Sequence, residues 1–111
     1  MKQKWAELAK LANLVFDSEL RKSSELRQAQ ANLGLKRRRL DVMNRKALDA
    51  LVNPHPVHRH NGDVLWQAWV GQNARAIGLE QAKQRALTEI HKSKLRKAFG
   101  RKSVLEELAR R

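Results

Sequence analysis

The chain contains no cysteine, which excludes disulfides, thiolate zinc sites and thiol catalysis, and fits a reducing compartment. Aromatic residues are only 5% of its 111 positions, and a single domain of this size has a thin interior. Proline occurs only at 54 and 56, so nothing interrupts a helix from Lys2 to Leu51. Purely apolar runs such as Leu14-Val15-Phe16 are far shorter than the ~20 residues that a bilayer crossing needs. The opening Met1-Lys2-Gln3-Lys4-Trp5, soon followed by Glu7, lacks the continuous apolar core of a signal peptide, and the expected location is the cytoplasm. There is no glycine-rich phosphate loop, nucleophile motif or carboxylate pair, so no catalytic residue and no cofactor is assigned, and the chain is not expected to be an enzyme.

Acidic residues are also scarce. There are 11 against 24 Lys and Arg, a net charge of +13, which calls for an acidic partner such as a protein surface or a nucleic acid. The excess is shared by both halves of the chain, so neither half is a detachable basic tail.

What is abundant is alanine and leucine, the apolar residues that lose least on entering a helix. Apolar or small residues recur at three- and four-residue steps through Trp5, Leu8, Ala12 and Val15, then Leu26, Ala29 and Leu33, then Leu40, Met43, Ala47 and Ala50. Glu19 and Lys22 interrupt this stripe, and Gly34 marks a point where the helix would bend. Pro54, Pro56 and the Asn61-Gly62 dipeptide then turn the chain. With Asp63 as N-cap, a second stripe follows through Leu65, Trp69, Ala76, Leu79, Ala86, Ile90, Ala98, Leu105 and Leu108.

The expected fold is therefore all-α. It is one domain, an antiparallel two-helix hairpin with arm one at 2–52, a turn at 53–62 and arm two at 63–110. Gly100 before Ser103-Val104-Leu105-Glu106, which has the spacing of a capping box, marks where a short terminal helix would open. A turn centred near Val57 sets opposite each other residues whose numbers total about 115, which places Phe99 in the core against Phe16. It also pairs Glu19 with Arg96, Asp41 with Arg75, Lys36 with Glu80, Arg27 with Glu89, Lys10 with Glu106 and Glu7 with Arg111. The same stripes would serve a monomer or a helical dimer.

His55, His58 and His60 crowd the turn, but no cysteine completes a zinc set and no metal ligand is assigned. Lys36-Arg37-Arg38-Arg39 puts four cations around one helical turn, suited to neutralising phosphates, although no base-reading motif accompanies them. Trp66 and Trp69 share a helix face where a partner could dock.

A proline-interrupted, highly charged hairpin without cysteine, ending in Ala98-Phe99-Gly100-Arg101-Lys102-Ser103-Val104-Leu105-Glu106-Glu107-Leu108, resembles the FliJ/YscO family of flagellar and type III secretion export stalk proteins. The resemblance implies a non-enzymatic stalk in a hexameric export ATPase ring, promoting ring assembly and linking it to the export gate, with membrane contact only through partners. It implies that Trp5, Lys97, Arg101, Lys102 and Arg110 belong to the end that meets the ring. Leu40, Met43, Trp66 and Trp69 would belong to the side that meets the gate or export chaperones. This chain departs from the family in being shorter and more basic, with glycine at 34, 71, 78 and 100 within its arms. The alternatives are a basic, nucleoid-associated type of nucleic-acid-binding protein, and a secretion chaperone or assembly factor.

Overall fold

A computed structural model describes residues 1–52 and 61–111, with side-chain surroundings for 1–50 and 64–111. It contains two α-helices, α1 (Lys2–Val52) and α2 (Asn61–Arg110). Helix α2 thus begins two residues before the expected start, and the three turn histidines lie outside the described residues.

Both helices are sustained by composition and by ion pairs along their surfaces. Lys22–Glu19, Lys83–Glu80 and Lys92–Glu89 are three residues apart, and Arg37–Asp41 and Arg111–Glu107 are four apart. In four of these five the acid is N-terminal to the base, the favoured order on a helix; each contributes about 0.2–0.5 kcal/mol. No glycine has a positive φ, and α2 runs unbroken through Gly100 to Arg110. The terminal helix expected after Gly100 does not form separately, because the glycine costs only about 1 kcal/mol and the flanking residues favour helix. Nor does Gly34 end α1.

The arms pack as an antiparallel hairpin and divide into two compact units. The first comprises Met1–Gln28 with Gln84–Arg111, and the second Ala29–Lys83. In the first unit, α1 turns Trp5, Ala9, Ala12, Phe16, Glu19, Ser23 and Leu26 inward, and α2 answers with His91, Leu95, Ala98, Lys102 and Leu105. In the second, Leu33, Arg37, Leu40, Asn44 and Ala47 meet Trp66, Val70, Ala74 and Ile77. These steps of three and four are the seam of a coiled coil, but its occupants are unusually polar.

The stripe expected on α1 coincides with the seam at Trp5, Ala12, Leu26, Leu33, Leu40 and Ala47 and departs from it at Leu8, Val15 and Met43, whereas on α2 it lies off the seam from Leu65 to Ile90 and rejoins it at Ala98 and Leu105. Leu8 and Val15 are 43% and 51% exposed, and Leu65, Leu79 and Ile90 are also exposed. Register differs as well. Glu19 meets His91, and Asn44 meets Trp66, pairs that both total 110 rather than 115. The Phe16 and Phe99 rings do touch, at 5.7 Å between centroids, yet Phe99 stands at the flank, 55% exposed, and not in the core. None of the six expected ion pairs between the arms is among those of the described residues: Asp41, Glu80 and Glu89 pair with near neighbours on their own helix, and Glu19 with Lys22 and His91.

Among the described residues, no helix is long and apolar enough to cross a membrane, and no group of three or more His, Cys, Asp or Glu is placed to hold a metal.

Candidate functional site

Two surfaces gather the side chains that the seam leaves over, one in each unit. In the first unit a groove of about 640 Å³ opens between the arms. Leu8, Leu11 and Val15 form its α1 wall, Val104 stands on the α2 wall, Ala12, Ala98 and Leu105 are its least exposed lining, and Gly100 is exposed at its α2 edge. Its lining is apolar except for Lys97 and Arg101, which follow each other by one turn on α2, and it includes no acid.

The residues expected at the ring-meeting end separate on this frame. Lys97 and Arg101 line the groove and are exposed. Trp5 and Lys102 instead face the seam and are half-buried, with the Lys102 ammonium 4.7 Å from the centre of the Phe16 ring, within reach of a cation–π attraction. Arg110 is exposed in the last turn of α2, where a cation complements the negative end of the helix dipole. The wall residues Leu8 and Val15 were placed in the seam by periodicity, and Leu11 and Val104 were not singled out. A stripe one position off the apolar maximum would have exposed them.

Beside the groove lies the most buried polar contact of this unit. His91, 7% exposed, brings Nε2 within 2.8 Å of the Glu19 carbonyl oxygen, which can only accept, so Nε2 carries the proton. Its Nδ1 faces Glu19 Oε2 at 3.3 Å, while Glu19 Oε1 accepts from Lys22 Nζ at 3.4 Å. Oε2 is buried without a hydrogen-bond donor when His91 is neutral. Charged, the imidazolium donates from both nitrogens and satisfies it. The pair fixes register, since a slip of one position would leave a carboxylate among apolar side chains.

The second unit has a smaller hollow, about 390 Å³, between Leu40 and Met43 on α1 and Trp69 and Ile77 on α2, with Lys36 and Arg39 at its edge. Here the structure brings together three of the four residues expected on the gate side. Leu40 is buried, whereas Met43 and Trp69 are 44% and 43% exposed. The fourth, Trp66, stacks on Trp69 with centroids 5.2 Å apart and donates its indole N–H to Asn44 Oδ1 at 3.3 Å. Gln67 donates to the same oxygen at 3.4 Å. Of the four consecutive cations, Arg37 points into the seam, donating to the Ala74 carbonyl at 3.5 Å and pairing with Asp41. Lys36, Arg38 and Arg39 remain exposed.

Comparison with protein-family models, with curated proteins and with solved structures finds no match.

Proposed function

We propose that this chain is a non-enzymatic stalk or adaptor of a flagellar or related type III export ATPase, acting in the cytoplasm through its helical surfaces. It would promote assembly of the ATPase ring and couple it to the export gate. The observation that carries the reading is the groove of the first unit, where Lys97 and Arg101 border an exposed apolar face on the paired terminal segments. A helical hairpin with exposed leucine, valine and cationic side chains is suited to docking on other proteins. The basic run of the second unit supports a nucleic-acid reading less well, because Arg37 is taken up by the seam and by Asp41.

The test is ATP hydrolysis by the export ATPase of the same organism, titrated with this chain at physiological salt in the presence of excess nonspecific DNA. The expected result is saturable stimulation at a ratio near one chain per ring. No stimulation, with the chain carried off by the DNA, would overturn the reading in favour of a nucleic-acid partner. A stable complex with one export substrate, and none with the ATPase, would overturn it in favour of a chaperone.

A further inference from the structure

The groove of the first unit is shaped for a third helix. Its walls are side chains that the hairpin does not bury, with Leu11 58% and Val104 59% exposed. Its least exposed lining includes the small residues Ala12 and Ala98, which lets another backbone approach to the 8–10 Å typical of packed helices. Gly100, exposed at the α2 edge of the lining, is smaller still. Glycine in a helix interior costs about 1 kcal/mol relative to alanine, and a special backbone conformation or a close neighbour usually accounts for it. Neither applies here, since its φ is not positive and nothing lies within 4 Å of an added Cβ. The space over Gly100 is open at the edge of the groove, as it is over Gly34 and Gly78 outside it.

Charge decides what fills that space. Lys97 and Arg101 sit at the edge, in no ion pair among the described residues, and the lining offers no acid to neutralise them. A second copy of a chain of net charge +13 would bring like charge to like. We infer that this groove receives an amphipathic helix of a partner protein whose apolar stripe is edged by aspartate or glutamate. Leucine-type side chains of that helix enter between Leu11 and Val104, and its acids meet Lys97 and Arg101. The inference deepens the adaptor reading and rests on it only in taking the occupant to be a protein.

The experiment uses the full chain and two fluorescent synthetic helical peptides. Both carry leucine at alternating three- and four-residue steps, one with glutamate and the other with lysine along the flanks, and binding is read by anisotropy. The glutamate peptide is expected to bind saturably and the lysine peptide not. Leu11→Asp and Gly100→Leu should each weaken binding by about tenfold or more while leaving the helical circular dichroism and its melting cooperative, because both positions are open to solvent. Lys97→Glu combined with Arg101→Glu should exchange the preference of the two peptides. Absence of saturable binding would overturn the inference, as would binding unaffected by Leu11→Asp and Gly100→Leu, which would mean charge attraction alone. A dimer of the chain in sedimentation that is lost with Leu11→Asp would overturn it too, by making a second copy the occupant. The two readings fail separately: an unstimulated ATPase with the peptide still bound removes the stalk, and a stimulated ATPase without peptide binding removes the groove.

Discussion

The two units solve the same packing problem differently. In the second, Trp66 and Trp69 stack against each other and Asn44 collects two donors, while Val64, Leu65 and Leu79 stay exposed outside its hollow. In the first, Leu8, Leu11, Val15 and Val104 stay open around Ala12 and Ala98, while a His–Glu contact occupies the seam. The difference teaches that the contacts between the arms and the exposed apolar faces use largely different residues. Polar groups in the seam set the register, and the larger apolar groups stand beside it.

The largest effect expected is at Leu40, one of three buried apolar residues among those described, the other two being alanines. Leu40→Ala removes much of the second unit's buried apolar volume and should cost about 2–3 kcal/mol. Hydrogen exchange should then show the second unit opening first. Equal loss of protection at Ala9 and Ala98 would break the contrast, since it would mean that the hairpin melts as one body.

The first unit is tested at its polar contact. His91→Leu leaves the Glu19 carboxylate buried beside apolar groups and should cost about 1–3 kcal/mol. Adding Glu19→Leu removes the stranded charge, and the double variant should recover most of that loss, because an apolar pair replaces both partners at once. Thermal unfolding of the two single variants and the double variant measures this. Additive losses would mean that the two residues do not act together and that the register is fixed elsewhere. The double variant should also populate slipped registers, visible as a broader transition.

Much of this architecture was legible in the sequence, and the reasons are local. Pro54 and Pro56 mark where the helical pattern stops, and alanine- and leucine-rich arms on either side leave little choice but helix, whereas the Asn61-Gly62 pair, read as part of the turn, opens α2. Register was not legible. Periodicity follows apolar side chains, so it put Leu8 and Val15 in the seam, whereas the arms also meet through Ala9, Glu19, Arg37 and Asn44. Hydrogen bonds across the arms, such as Arg37 to the Ala74 carbonyl and Trp66 to Asn44, make those polar positions tolerable, and no one-dimensional pattern contains them. The candidate surfaces were legible in part for the same reason. The resemblance pointed to Lys97 and Arg101, and aromatic content to Trp66 and Trp69, but the groove walls were hidden because Leu8 and Val15 had been assigned to the seam and Leu11 and Val104 fell outside either stripe.

The smallest effect concerns the glycines, and it sharpens the contrast between surfaces used inside the chain and surfaces left open. Gly34 and Gly78, both in the second unit, leave nothing within 4 Å of an added Cβ, and neither has a positive φ. Alanine at either site meets no clash and restricts the unfolded chain, so Gly34→Ala and Gly78→Ala should each stabilise the hairpin by about 0.5–1 kcal/mol. Gly100→Ala in the first unit should stabilise by the same amount, since its surroundings within the chain are equally empty. Peptide binding separates the three. Gly34→Ala and Gly78→Ala should leave it unchanged, whereas Gly100→Ala should weaken it modestly while raising the melting temperature. A gain in stability at all three sites with binding untouched would mean that the glycine at the groove edge is not there to admit a helix.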